Sequence, residues 1–444
     1  MTQYILFVAV IIFFCVVAEK FSDKFGMPAL ILFMFIGMLF GSDGIFKIPF
    51  DNFGMAETIC SIALVFIMFY GGFNTKWSVA KPVAVKAITL STLGVLLTAG
   101  ITTVICKFVF GLSLTEGFLI GSVLSCTDAA SVFAILRKHK LNLKDGTASI
   151  LEVESGSNDP VSYMLTIIAI SMLGEGDSTN VMGLVALQLV FGVLVGVMMS
   201  RISLFIMTKT RLISDGLDTI FMIAMVLVCY GVASILNGNA YLSLYLFGIM
   251  IGNSRIRNKQ MLIPFFDGVT GLAQILIFFL IGLLSFPHQM PKIVPLALAI
   301  VVALTVIARP IAVSVLLLPF KCSIRQNLLI SWAGLRGASS SVFAIMAVAA
   351  GISMKQDLFH IVFMVSLFSV AIQGTLLPYV AQKLDMVDNN ADVRKTFNDY
   401  QEETALQLTT MYIPEGHNWA NQKIKDVNMP MGALALMIKR GEET

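Results

Sequence analysis

Leu151-Glu152-Val153-Glu154-Ser155-Gly156-Ser157-Asn158-Asp159-Pro160 opens an apolar run that continues to Leu173. It sets three carboxylates at the start of a segment that hydrocarbon would claim, and acidic groups kept there need a partner or a task. The rest of the chain says what kind of segment this is. Of 444 residues, 57% are hydrophobic and 13% charged, with 33 Phe and 25 Met spread over most of the length rather than gathered into one soluble core. That is the composition of a polytopic membrane protein built of helices.

Composition also excludes several classes. The net charge of +3 is small, and Lys and Arg sit in short clusters between apolar runs rather than along one face, which argues against a nucleic-acid partner. Cys15, Cys60, Cys106, Cys126, Cys229 and Cys322 are scattered without a CxxC pair and read as small core hydrophobes, not as a disulfide framework or a zinc site. No Gly-rich lysine motif for ATP is present, so an ion gradient must supply any driving force; no enzyme activity and no cofactor are expected.

Apolar stretches broken by Gly, Pro or charge fall at 2–18, 27–46, 56–73, 83–109, 115–136, 149–173, 181–206, 216–236, 240–252, 264–286, 292–319, 327–350 and 357–381, about thirteen spans. The opening stretch is read as a retained span, with a signal peptide as the alternative. Charge tests the count. The odd loops carry 17 Lys and Arg, in clusters such as Arg137, Lys138, Lys140 and Lys144; the even side has only Lys47, Lys107, Lys292 and Lys355. This bias puts the odd loops and the C-terminus in the cytoplasm, with the N-terminus outside.

After Leu384 the composition turns polar. Residues 1–383 are expected to form the membrane domain, 384–403 a cytoplasmic connector, and 404–444 a short α/β fragment of a regulatory domain. Strand-like patterning at 406–412 and at Ala433 to Ile438 supports the last expectation.

Two spans carry the chemistry. In the fifth, Gly121-Ser122-Val123-Leu124-Ser125-Cys126-Thr127-Asp128-Ala129-Ala130-Ser131 is small and polar near mid-membrane, a stretch that can unwind and present hydroxyls and carbonyls to an ion. Thr127 and Asp128 are its candidate ligands; close helix packing is the alternative. In the sixth, Ser155 and Asp159 share a helical face with Asn158 beside them. A carboxylate flanked by a hydroxyl and an amide can hold a dehydrated alkali cation or a proton, one at a time, and that is the minimum machinery for exchange. Glu154 needs a counter-ion. Arg309, before Pro310, and Arg336, in Gly334-Leu335-Arg336-Gly337-Ala338-Ser339-Ser340, are the candidates, since arginine does not give up its charge. Glycines around Arg336 suggest a second discontinuous helix, and two such helices crossing at mid-membrane are what inverted repeats produce.

Weaker signals complete the inventory. Gly37-Met38-Leu39-Phe40-Gly41 and Gly192-Val193-Leu194-Val195-Gly196 fit close helix contacts, with a dimer interface as one use. Glu57 and Glu116 read as end groups. His139, His288, His360 and His417 show no metal spacing, so no resident metal is expected beyond a transported cation.

Thr127-Asp128, Glu154-Ser155 with Asn158-Asp159, Arg309-Pro310 and Gly334-Leu335-Arg336-Gly337 together resemble the monovalent cation/proton antiporter superfamily, specifically its NhaP-type branch with the bacterial potassium/proton and cell-volume-regulation proteins. The resemblance covers residues 1 to about 383. It implies a homodimer of thirteen-helix protomers in the bacterial inner membrane, each with a dimerisation part and a six-helix core that moves as an elevator. It also implies Asp159 as ion and proton carrier, Thr127, Asp128 and Ser155 completing the site, and Glu154 braced by an arginine. An Asn-Asp pair implies electroneutral exchange.

The family's usual Thr-Asp-Pro is Thr127-Asp128-Ala129 here, and Gly71-Gly72-Phe73-Asn74 lacks an acidic group that some sodium-selective members carry; both point away from sodium. The tail around Ile413-Pro414-Glu415-Gly416 resembles the start of the ligand-sensing domain behind potassium transporters, which implies a small-molecule regulator of that domain. Potassium/proton antiport is therefore the leading expectation, with sodium or lithium/proton antiport as the alternative. A tail-gated cation channel would need a continuous polar path, and a signalling receptor would leave Asp159 unexplained.

Overall fold

The structure, a computed structural model, describes residues 2–25, 28–174, 180–210, 213–214, 216–256, 258–352, 354–388, 419 and 427. Helix α1 (Thr2–Phe25) is followed by α2 (Ala29–Phe40), α3 (Phe53–Asn74) and, after a short turn at Trp77–Ala80, α4 (Ala84–Phe110). α5 is divided into Leu114–Val123 and Ala129–Lys138. α6 (Thr147–Leu173), α7 (Val181–Lys209), α8 (Asp218–Ile235), α9 (Ala240–Gly252), α10 (Lys259–Leu283) and α11 (Met290–Phe320) lead to a second divided helix, α12 (Ile324–Trp332 and Ala338–Ala349), and to α13 (Leu358–Lys383). Among the described residues seven helices, α3, α4, α7, α8, α10, α11 and α13, are long and apolar enough to cross a membrane unaided.

The expectation of an α/β tail is corrected. No β-strand occurs among the described residues, where the one strand-like pairing is an isolated antiparallel bridge between Leu143 and Val387. The architecture is all-α. Six or seven residues of alternating pattern, punctuated by Pro, make too short a signal to specify a sheet without partner strands. The stretches 406–412 and 433–438 that prompted the reading lie outside the described residues, as does the connector beyond Asp388.

Glycine sets the closest helix contacts. Gly248 and Gly252 of α9 lie against the α3 backbone at Phe69 and Phe73, so near that a Cβ would overlap main chain, and Gly72 returns the contact at Tyr245. Small residues let backbones approach where no hydrophobic effect separates helix from lipid. α9 is only 13 residues long, about 20 Å. It is nonetheless anchored: Asn239, buried at 1% exposure, caps it and donates to the Pro160 carbonyl at 2.6 Å. The two small-residue motifs read as close helix contacts make such contacts within the chain. Gly37 meets Gly282 of α10, and Gly192 and Gly196 meet Asn239 and Ser243 of α9.

Among the described residues three helices carry a wide, π-type turn: α4 at Leu90–Gly94, α11 at Ala303–Ala308 and α13 at Ser369–Gly374. Such an inserted residue resets the facing of the side chains that follow. In α11 it comes immediately before Arg309-Pro310, where proline already removes one backbone donor. The last turn of the described chain is tied back to the α5–α6 loop: Lys144 N donates to Met386 O and Asp388 N to Asn142 O, both at 2.9 Å.

Candidate functional site

The break in α5 creates two helix ends inside the bundle, each with backbone groups that need partners. The side chains of the break supply them. Asp128 caps the second half of α5: its carboxylate accepts from Ser131 N at 3.3 Å and Ser131 Oγ at 2.7 Å. At the other end, the guanidinium of Arg336 donates to the carbonyls of Ser125 at 3.1 Å and Cys126 at 2.5 Å, a cation set on the C-terminal end of a half-helix. Ser162 Oγ of α6 takes up Ser122 O at 2.6 Å.

The break in α12 meets the break in α5 directly. Asp128 N donates to Leu335 O at 2.8 Å, and Arg336 N donates to Ser369 Oγ of α13 at 3.1 Å. Gly337 lies so close to the Asp128 carboxylate that a Cβ there would overlap it. This position requires glycine for space, not for an unusual backbone angle.

α6 runs past both breaks. Ser155 Oγ donates to Thr127 O at 2.7 Å and accepts from Ala129 N at 2.8 Å, bridging the gap in α5. Asn158 Nδ2 donates to Thr127 Oγ1 at 2.7 Å. Asp159, 5% exposed, accepts from Ser339 Oγ at 2.7 Å on Oδ2, while its Oδ1 and the Oδ1 of Asn158 have no hydrogen-bond partner. Thr127, Asp128, Ser155, Asn158 and Asp159 are thus brought together.

Glu154 is turned the other way. It forms an ion pair with Arg309 Nη2 of α11, both side chains being almost wholly buried. Of the two arginines considered as its counter-ion, Arg309 makes the contact; Arg336 is spent on the carbonyls of the α5 break. Sequence reasoning quoted Ser339 without giving it a task, and it overlooked Gly337 as the point of contact with Asp128. The available signal was the run Ser339-Ser340-Ser341 directly after a glycine break, more hydroxyls than a lipid-facing helix start requires.

Exposure across the layer is uneven. Asp128, Ala129, Ser155, Gly156, Ser157 and Ser339 are partly exposed, whereas Ser122, Ser125, Ser162 and Ser340 on the other side are fully buried. Beyond them Tyr163 packs edge-on to Tyr241 at 4.8 Å between ring centres, and both contact Phe343.

Two divided helices meeting beside a buried carboxylate in an all-α bundle make a secondary ion transporter rather than an enzyme. The chain belongs to the sodium/hydrogen exchanger transmembrane family, which it matches over residues 9–383. It is a multi-pass inner-membrane protein that exchanges monovalent cations for protons.

Among its relatives, the K(+)/H(+) antiporter NhaP of Alkalimonas amylolytica is 36% identical over 384 residues, covering 86% of this chain and 67% of that protein. The K(+)/H(+) antiporter NhaP2 of Shewanella baltica is 30% identical, covering 96% of this chain and 75% of that protein. The fold is similar to that of the sodium proton antiporter MjNhaP1 from Methanocaldococcus jannaschii at a TM-score of 0.76, with 22% identity, covering 86% of this chain and 99% of that one.

Proposed function

We propose that the protein exchanges potassium for protons, one for one, with Asp159 as the group that carries each in turn. The observation that carries this reading is the contrast among the three carboxylates of the layer. Glu154 is neutralised by Arg309 and Asp128 is committed to capping α5, while Asp159 forms no ion pair among the described residues; its Oδ1, like Glu154 Oε2, has no hydrogen-bond partner. Counting charge gives the same answer. Asp128, Glu154 and Asp159 against Arg309 and Arg336 leave one negative charge, which a single proton or a single alkali cation cancels. A buried site left with that charge uncompensated costs several kcal/mol, so the empty carboxylate resists crossing and the loaded one does not.

Thr127, Asp128, Ser155 and Asn158 shape the site, and Glu154 with Arg309 and Arg336 braces it. The excess of Lys and Arg on the odd loops supports a cytoplasmic C-terminus and an external N-terminus, so the partly exposed side of the layer faces the cytoplasm. Potassium rather than sodium is favoured by the relatives at 30% and 36% identity, which are described as K(+)/H(+) antiporters. A more distant relative, 24% identical, is described as a probable Na(+)/H(+) antiporter, and sodium is the second reading. The protein is proposed to work as a homodimer, with residues 1–383 as the membrane domain and a regulatory role for the chain that follows.

Reconstitution into liposomes with a pH-sensitive dye inside tests the reading. Potassium and rubidium should drive proton movement more strongly than sodium and lithium, with no dependence on membrane potential, and Asp159→Asn should abolish it. Full exchange by Asp159→Asn would reject the carrier; a sodium preference would reject the ion.

A further inference from the structure

We propose that Ser339 is a ligand of the transported cation, which makes the second divided helix part of the ion site; this rests on the reading of Asp159 as the carrier. Ser339 is the second residue of the second half of α12, is partly exposed on the open side of the layer, and donates to Asp159 Oδ2 at 2.7 Å. The other hydroxyls nearest the two breaks are engaged elsewhere, and Ser122 Oγ, which has no hydrogen-bond partner, is fully buried further back in the first half of α5. Ser155 spans Thr127 O and Ala129 N, Thr127 Oγ1 holds Asn158, Ser131 holds Asp128, and Ser340 faces Cys126 Sγ at 3.2 Å.

A hydroxyl suits a site that alternates between two occupants because it has one hydrogen and two lone pairs. While the carboxylate is charged and the site empty, the hydrogen lies on Oδ2. When a cation sits on the carboxylate, rotation about one bond turns a lone pair toward it, and no backbone has to move. The oxygen is already within hydrogen-bond distance of Oδ2, so a cation bound at Oδ2 falls within its reach. Hard oxygens are the ligands that alkali cations take.

The placement of this hydroxyl is fixed from both sides. Leu335 O holds Asp128 N, Ser369 Oγ holds Arg336 N, and the Arg336 side chain holds the end of the first half of α5. Gly337 brings the chain against Asp128 with no room for a side chain. Ser339 then follows on a helix start whose position is determined before any ion arrives. A cation bound in this way has oxygens from α6, on Asp159 and Asn158, and from α12, on Ser339. A proton needs only the carboxylate. Loss of the hydroxyl should therefore weaken cation binding while leaving the rate of crossing largely intact.

The test is the potassium dependence of proton movement in proteoliposomes at fixed pH, for the wild type, Ser339→Ala, Ser339→Thr, Ser340→Ala and Asp159→Asn. Ser339→Ala should raise KM for potassium about tenfold, the effect of losing one ligand or hydrogen bond, and leave kcat within about twofold. Ser339→Thr, which keeps the hydroxyl, should restore a KM near the wild type. Ser340→Ala, which removes the neighbouring hydroxyl outside the site, should change neither.

An unchanged KM in Ser339→Ala overturns the proposal, as does a fall in kcat that threonine does not restore. If Ser339→Ala does not accumulate, Ser339→Cys replaces the hard oxygen with soft sulfur at nearly constant volume, and a wild-type KM in that variant is equally fatal. Failure of the underlying reading looks different: Asp159→Asn would then retain exchange. An inactive Asp159→Asn with a normal Ser339→Ala removes Ser339 alone.

Discussion

Replacing Arg309 with methionine should destabilise the protein more than replacing almost any other single side chain, because it strands a carboxylate in the bundle. Arg309 and Glu154 are 2% and 1% exposed at the side chain, so solvent does not screen the pair. Breaking a buried ion pair by removing one partner costs about 3–5 kcal/mol, most of it the penalty for the charge left behind. Water offers little rescue. The cavity beside Arg309, lined also by Ser331, Gln373 and Arg336, has a volume of about 10 Å³, room for one water at most. Glu154→Gln alone strands the guanidinium instead, whose Nε and Nη1 already lack partners.

The double variant Arg309→Met with Glu154→Gln removes both charges and should recover much of the loss. The assay is the midpoint of thermal unfolding of purified protein in detergent, with each single variant and the double variant compared in one cycle. The single variants should fall by roughly 3–5 °C, and the double variant should fall by clearly less than their sum, a coupling of about 2–3 kcal/mol. Additive losses would refute the reasoning, since they would mean that the two groups do not neutralise each other.

Gly337→Ala should abolish or severely lower exchange, because its Cβ overlaps the Asp128 carboxylate and forces the two breaks apart; wild-type exchange from this variant would show that the contact is slack. Asp385 lies outside the membrane, where Lys144, and then Arg325, hold its carboxyl below the usual carboxylate range. A depressed carboxyl stabilises the folded form above its ordinary titration range, and that contribution is lost as pH falls through the folded value, so the tie between the α5–α6 loop and residues 385–388 should be constant through neutral pH and weaken below about pH 4. Hydrogen-exchange protection of the Lys144 and Asp388 amides should follow that course, and Asp385→Asn should lower it at neutral pH, the difference shrinking as pH falls below about 4; unaltered protection in the variant at neutral pH would count against the tie.

The polar layer was legible because charge and hydroxyls in apolar runs have few explanations. Thr127-Asp128 and the glycines around Arg336 marked two helix breaks, and the α5 and α12 halves end where those residues stand. The partner of Glu154 was not legible, since Arg309 and Arg336 are equally charged and only their places in the fold set Arg309 on Glu154 and Arg336 on the carbonyls of the α5 break. Ser339 escaped notice because a serine near a helix start has an ordinary use in capping. The small-residue motifs at Gly37 and Gly192 signalled close packing correctly, but a motif cannot say whether its partner helix belongs to the same chain. In the tail, short alternation without a partner strand was read as more than it could carry.

Exchange through one carboxylate makes cation binding and proton loss the same event. Potassium added to purified protein in weakly buffered detergent solution should therefore release about one proton per chain, followed with a pH indicator, and none from Asp159→Asn. Release of no protons by the wild type, or an equal release by Asp159→Asn, would contradict the alternation of proton and cation on Asp159.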